Sequence, residues 1–329
     1  MTMSIIASQV AHTLKESKSF AAKADIADVI GLLGVSAEEA IAVGDDCAAI
    51  PDGDSYLLIA IEGFMNEFVA RDPWFAGWCG VMVNVSDIAA MGGAPIAVVN
   101  AIWSDGVGSA SPVLEGLREA SRAFGVPVVG GHSNLRTDRA QLAVAILGRA
   151  KKLLTSFDAE PGDQLISAID LRGRFREPFS NWEAATTAPP ERLRGDLQLL
   201  PAIAEAGLSK AAKDISQGGV VGTAAMLAEC SNVAVSIDLA AIPKPDSIPL
   251  ERWLTSFPSF GYLITARPNK VDEILALFRA RDIAAAAIGE IASGATVAIC
   301  NQGKREIVWD FSQRALIGCT AQGANRRSN

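Results

Sequence analysis

Asp45 and Asp46 stand side by side in Gly44-Asp45-Asp46-Cys47-Ala48-Ala49-Ile50. Two carboxylates about 4 Å apart repel by about 4 kcal/mol at an effective dielectric of about 20. A divalent cation turns that repulsion into binding. Mg²⁺ takes carboxylate and water oxygens and commonly reaches a protein through nucleotide phosphates. Other segments supply matching chemistry. Asn84-Val85-Ser86-Asp87-Ile88 puts Asp87 in an apolar stretch, where an unpaired acid is costly. Gly130-Gly131-His132-Ser133 follows an apolar run, and paired glycines let backbone N–H groups approach an anion. Asp214-Ile215-Ser216-Gln217-Gly218-Gly219 stands before a helical pattern whose N-terminal N–H groups favour phosphate. Together these acids and glycines point to a Mg–nucleotide site.

Each motif also has a purely structural reading. Asp45 or Asp46 could close an Asx turn, and adjacent residues on extended backbone point to opposite faces, so one of the two would reach a given metal. Asp87 could pair with an arginine. His132 could orient a phosphate oxygen or a metal-bound water, or be a packed histidine in a tight turn. Asp214 could hold Mg²⁺ against a phosphate, or cap the helix that follows. Glu62, at a strand end, could be a further ligand or a solvated acid. Lys23 could close over phosphates or stay solvated. Arg172, Arg174 and Arg176 could grip an anionic substrate or line a charged loop.

These residues need a scaffold. Tyr56–Ile61, Ile96–Ile102, Val126–Val129 and Gln141–Leu147 read as strands. Trp74, Trp78, Val81, Met82, Val85, Ile88 and Ala89 recur at helical spacing, which predicts a mostly buried helix over Pro73–Met91. A helix over Val113–Phe124 stops at Gly125. A second set of elements starts near Lys151: a strand at Gln164–Ile169, a long loop over Arg172–Asp196, and a helix over Leu197–Ala206. A further helix covers Gly219–Glu229, strands cover Val233–Leu239 and Tyr262–Ala266, and a helix covers Val271–Ala280. Strands near Ala286–Ile288, Thr296–Cys300 and Glu306–Trp309 complete the set. The N-terminal segment around Lys23 shows little periodicity. The pattern predicts an α+β protein of two domains, residues 1–150 and 151–329.

The bulk composition narrows the function. The chain has 329 residues, is 50% hydrophobic and 20% charged, and carries a formal net charge of -8, which disfavours a nucleic-acid partner. Five scattered cysteines without a CxxC pair indicate reduced, mostly buried thiols and a cytoplasmic protein. Only two histidines occur, which argues against a histidine-rich zinc site. No apolar run is long enough to span a bilayer, so no membrane partner is expected. No P-loop, GxGxxG turn or GxSxG elbow is present.

In order, these motifs resemble the aminoimidazole ribonucleotide synthase-like superfamily, from about Lys18 to Ile291. That superfamily includes aminoimidazole ribonucleotide synthase, thiamine-monophosphate kinase, selenide, water dikinase and the hydrogenase-maturation dehydratase. The resemblance implies an N-terminal domain for ATP, Mg²⁺ and dimerisation, whose mixed sheet pairs across a homodimer, and a C-terminal α/β sandwich completing the cleft. It implies Asp45, Asp46, Asp87 and Asp214 as metal ligands, with Glu62 near a family strand-end Asp. Gly130, Gly131, Ser133, Gly218 and Gly219 match cofactor-binding turns. Lys23 and His132 stand at catalytic positions. His132 resembles the dikinase branch, yet the cysteine that accompanies that branch's lysine is missing, and Cys319 is not at the C-terminus. The chain therefore resembles the superfamily, in a branch distinct from these four. The expected activity is phosphorylation or phosphoryl activation of a small-molecule acceptor with ATP and Mg²⁺. The alternative is a non-catalytic nucleotide-binding or assembly subunit.

Overall fold

A computed structural model describes residues 7–320, apart from the side chains of Lys18 and Ser19. In chain order the elements begin with α1 (Ala7–Lys15), α2 (Lys18–Leu33), β1 (Ala48–Asp52), β2 (Ser55–Phe64), α3 (Asn66–Arg71), α4 (Pro73–Ala90), β3 (Ala94–Asp105), α5 (Gly106–Phe124), β4 (Val128–Asn134) and β5 (Arg136–Ala150). They continue with β6 (Gln164–Ile169), β7 (Arg174–Phe175), β8 (Asn181–Glu183), α6 (Pro190–Asp196), α7 (Leu199–Glu205), β9 (Ala211–Asp214), α8 (Gly219–Ser231) and β10 (Ala234–Asp238). The last are α9 (Leu250–Leu254), β11 (Phe257–Pro258), β12 (Gly261–Ala266), α10 (Pro268–Arg279), β13 (Ala284–Ala292), β14 (Thr296–Asn301) and β15 (Lys304–Asp310). The mixture of helices and mixed sheets is the α+β class that the periodicity predicts.

The chain divides into two units. One consists of Asp46–Leu153 and Ala185–Glu205. Its sheet runs β1-β2-β5-β3-β4, with β3 and β4 parallel and the other neighbours antiparallel. Strand alternation explains the layer against it. Leu58, Ala60, Val144, Ile146, Val98 and Ile102 are buried, while Ile59, Ile61 and Val99 on the opposite face are exposed. Helix α4 is buried from Phe75 to Ala90. Its Asn84 Nδ2 donates to the Gly80 carbonyl at 2.8 Å and to the Val144 carbonyl of β5 at 3.0 Å. Asn84 thus ties helix to sheet. Arg194 of α6 donates to the carbonyls of Ala123 and Arg122, satisfying orphan acceptors at the end of α5.

The other unit consists of Met1–Asp45, Leu154–Ala184 and Ala206–Asn329. Its main sheet runs β15-β14-β10-β13-β6-β12-β9 and is mostly antiparallel, with β10 and β14 parallel. Every residue of α8 is buried. Around it gather Phe20 and Ile30 of α2, Leu165 and Ile169 of β6, and Trp253 of α9.

Two expectations need correction. The N-terminal segment is not irregular: α2 starts at Ser17, whose side chain accepts from Phe20 N, and ends at Gly34 in left-handed conformation. Local caps and the burial of Phe20 hold it, although its apolar residues lack a clear period. Nor is residue range 172–196 a long loop. It contains β7, β8 and α6, because Phe175, Trp182 and Trp253 stack edge to face at 5.3 and 5.2 Å between centroids. Trp182 Nε1 also donates to the Asp170 carbonyl at 3.0 Å. Arg172 grips the buried Asp170 through Nε at 2.8 Å and Nη2 at 3.2 Å, so it is committed to that partner. Among the described residues no helix is long and apolar enough to cross a membrane.

Candidate functional site

The end of β9 and the start of α8 make one half of the candidate site. Asp214 is the last residue of β9, is 6% exposed, and lies in register opposite Tyr262 of β12. Beyond it the chain turns sharply. Gly219 N donates to Ser216 O at 2.8 Å, and Ser216 N donates to Thr223 Oγ1 at 3.3 Å. Gly219 has φ +62°, and a Cβ there would lie 2.0 Å from the Leu254 carbonyl oxygen, so only glycine fits. Gly218 stands at the N-cap of α8. The Ser216 hydroxyl is buried and has no hydrogen-bond partner. An unsatisfied hydroxyl beside the positive end of a helix suits an anionic oxygen.

The helix that carries Lys23 packs on α8. Phe20 packs on α8 at Gly222, where a Cβ would lie 3.4 Å from Phe20 Cε2. Lys23 follows Phe20 by three residues on α2 and so shares its side of that helix. Lys23 is half-buried.

Asp45 meets a buried polar group in the same unit. Its Oδ2 accepts from Ser156 N at 2.8 Å and its Oδ1 from Ser156 Oγ at 2.6 Å. Lys213 Nζ donates to Ser156 Oγ at 3.4 Å, and Lys213 is only 4% exposed. Cys230 Sγ donates to the Gly44 carbonyl at 3.5 Å. Burial raises the Cys230 pKa well above its ordinary value; Lys213 opposes that shift and Asp45 adds to it. The Cys319 thiol is pushed up to about 11, first by burial and then by the nearby Glu229 carboxylate. These thiols are protonated and shielded, and none of the five cysteines is in a disulfide, as their scattered positions predict.

The second unit holds the remaining candidates. Asp46 immediately precedes the buried Cys47 and β1. Glu62 lies in β2, in register opposite Val144 and on the face shared by buried Leu58 and Ala60. Asn84 of α4 reaches the same Val144 through its carbonyl. The structure therefore brings Glu62 to the level of the helical segment that carries Asp87, which is 6% exposed. Within the Asn84-to-Asp87 motif, Asn84 joins helix to sheet and Asp87 remains the candidate ligand.

Gly130-Gly131-His132-Ser133 is not a tight turn. It lies inside β4, an edge strand exposed along its whole length and paired in parallel with β3. Gly131 is required there by close approach, since a Cβ would lie 2.1 Å from the Asn100 carbonyl oxygen, whereas Gly130 faces open space. His132 is exposed rather than packed inside, with its ring 6.0 Å from that of Trp103.

Among the described residues no group of three or more His, Cys, Asp or Glu side chains is arranged to hold a metal ion. Such a cage is the expected mode for Zn²⁺ or Ca²⁺. Mg²⁺ differs, because it commonly uses one or two carboxylates plus phosphate oxygens and water. Within one unit, the Asp214 carboxylate and the Ser216 hydroxyl at the start of α8 are hard oxygen donors, the kind that Mg²⁺ and phosphate share. Sequence reasoning passed over Ser156, Lys213 and Glu229. Lys213 carried a signal, a lone cation in the apolar strand directly before Asp214; Ser156 carried none.

Known proteins share this two-domain fold. The family model "AIR synthase related protein, N-terminal domain" matches residues 44–150, and its C-terminal counterpart matches residues 177–300. An uncharacterized protein of Synechocystis is 48% identical over 284 residues, covering 86% of this chain and 88% of that protein. The thiamine-monophosphate kinase of Pyrococcus abyssi is 29% identical over 248 residues, covering 70% of this chain and 79% of the kinase. Among solved structures, T. maritima PurL complexed with ATP superposes with a TM-score of 0.70 at 20% identity, covering 83% of this chain. The match takes in 46% of the PurL chain, so this chain corresponds to about half of it.

Proposed function

Since the chain belongs to the AIR synthase related protein family, we propose that it is an ATP- and Mg²⁺-dependent enzyme that phosphorylates or phosphoryl-activates a small-molecule acceptor. One observation carries this reading. The strand end at Asp214, the unpartnered Ser216 hydroxyl and the Gly218-Gly219 start of α8 lie beside the helix that carries Lys23. That is a carboxylate with hydroxyl and backbone donors at one helix terminus, beside a helix that carries a lysine, a set suited to a metal-bound polyphosphate. The kinase and ATP-bound relatives support the same reading.

In this account Asp45, Asp46, Glu62, Asp87 and Asp214 would hold Mg²⁺, which when bound neutralises charge on the transferred phosphoryl group. The α8 N–H groups and the Ser216 hydroxyl hold phosphate oxygens, and Lys23 covers them. Gly130 and Ser133 offer further donors on β4, and His132 orients an oxygen at the reacting end. Residues 1–150 serve nucleotide binding and dimerisation, and residues 151–329 complete the site. The segment over 172–196 selects the acceptor. The exposed row of Ile59, Ile61 and Val99 on the five-stranded sheet supports a homodimer, with Ile61 as much as 68% exposed. Light scattering should report twice the monomer mass.

Incubation with Mg–ATP and candidate acceptors, with ADP and phosphate release as the readout, tests the activity. Acceptor-dependent ADP production supports it. Tight nucleotide binding without turnover across acceptors of every class points instead to an assembly subunit.

A further inference from the structure

We propose that the outward face of α2 is a docking surface for a basic, amphipathic helix of a partner protein. Its residues take no part in the ATP and Mg²⁺ site proposed above, so the two readings stand or fall separately.

One side of α2 turns to the protein. Phe20 packs on α8 at Gly222, Ala27 meets Gly318 of the C-terminal segment, and Ile30 joins the core around α8. Successive residues turn by about 100° along a helix. On that wheel Ala22, Asp25, Asp28, Val29, Leu32 and Leu33 share the opposite side, and all six are exposed. Leu32 is 90% exposed and Leu33 69%. The last turn stands clear of the body, since a Cβ on Gly31 or Gly34 would meet nothing beyond the adjoining chain within 4 Å. Neighbouring apolar side chains left bare on a projecting helix end mark a contact surface rather than scattered exposure.

Charge selects the occupant. Asp25 and Asp28 precede Val29 and Leu32 by one helical turn and border the apolar ridge. From Ala24 to Asp45 the chain contains no Lys, Arg or His. The end of α2 adds partial negative charge, and no base in the last turn offsets it. The field over this face is therefore negative and draws cations. Packing the same face of a second copy against it would set Asp25 and Asp28 against like charges. A nucleic acid or an anionic bilayer would be repelled too. A helix with a Leu or Val stripe and Lys or Arg beside it meets both features, its ridges seating in the grooves of α2. The face from Ala22 to Leu33 runs for about 18 Å, so a partner helix of three to four turns would cover it.

Fluorescence anisotropy with the full chain and two labelled synthetic peptides tests this. Both peptides are amphipathic helices of about four turns with a leucine stripe. One carries lysines beside the stripe and the other glutamates. The lysine peptide should bind at least about tenfold more tightly than its glutamate twin. Leu32→Gln with Leu33→Gln, helix-compatible changes at exposed positions, should weaken it by at least about tenfold. Asp25→Asn with Asp28→Asn should weaken it and flatten its salt dependence. Asp272→Asn with Glu273→Gln, an equal loss of charge on the exposed side of α10, should change neither. No binding to the wild type, undiminished binding in the leucine variant, or equal weakening by the two charge pairs would overturn the docking surface. Sedimentation velocity and flotation with phosphatidylcholine vesicles separate the other occupants. An assembly mass unchanged in the leucine variant and no vesicle binding support the partner helix. A smaller mass, or vesicle binding lost in that variant, would give the face to a second copy or to a membrane and overturn it.

Discussion

Replacing Glu229 with alanine should loosen the C-terminal segment selectively. Glu229 lies in α8 and is 1% exposed. Its carboxylate accepts from three successive backbone N–H groups: Leu316 at 2.9 Å, Ile317 at 2.6 Å and Gly318 at 3.2 Å. The first two bonds are buried and the third is partly open to water. Orphaning a buried donor costs about 1–3 kcal/mol, so the two buried donors together cost about 2–6 kcal/mol. Local release competes with that penalty. Detaching the segment re-exposes Leu316 and Ile317, at about 1.5–3 kcal/mol per side chain. Whichever is cheaper, opening becomes easier by at least about 2 kcal/mol, or about thirtyfold in exchange rate. Hydrogen exchange followed by mass spectrometry reads this directly at residues 316–318. Protection there should collapse in Glu229→Ala while β6 and β12 retain theirs. Protection within about threefold of wild type would refute the assignment of the carboxylate as the latch.

Other outcomes follow from single contacts. Gly131→Ala should destabilise by about 1–3 kcal/mol in urea unfolding, because its Cβ meets the Asn100 carbonyl, while Gly130→Ala should stay within about 0.5 kcal/mol. Gly219→Ala combines φ +62° with a 2.0 Å clash and should cost more than Gly131→Ala, seen as a larger drop in melting temperature. Alkaline pH should weaken the fold through Cys319. Its folded pKa is raised from 9.0 to about 11, so its contribution is complete below pH 9 and is lost as pH rises through 11. Unfolding measured from pH 8 to 11 should show a steeper decline in wild type than in Cys319→Ala; parallel curves would contradict the assignment.

Much of the fold was legible because burial leaves a period in the sequence. The helix over 73–90 shows it through Trp78, Val81, Val85 and Ile88, and β6 matches its expected bounds of Gln164–Ile169. Helix α2 escaped that signal, since it buries Phe20 and Ile30 yet exposes Val29, Leu32 and Leu33. Its caps, Ser17 and Gly34, were the readable trace. Residues 172–184 looked irregular because their order comes from Trp182 and its contact with Trp253, a partner far along the chain. Gly130-Gly131 read as a turn on composition, yet pairing with β3 overrides local preference. In the candidate site, the acids were visible as residue types. The anchoring of Asp45 was not, because Ser156 and Lys213 lie more than a hundred residues away in sequence.

The central claim is tested most directly by titrating ATP into the wild-type protein with Mg²⁺ and with excess EDTA, and repeating both with Asp87→Asn and Asp214→Asn. The account predicts binding that depends on Mg²⁺ and falls by at least about tenfold in each variant. Equal affinity with and without the cation, or variants that bind as the wild type does, would contradict it.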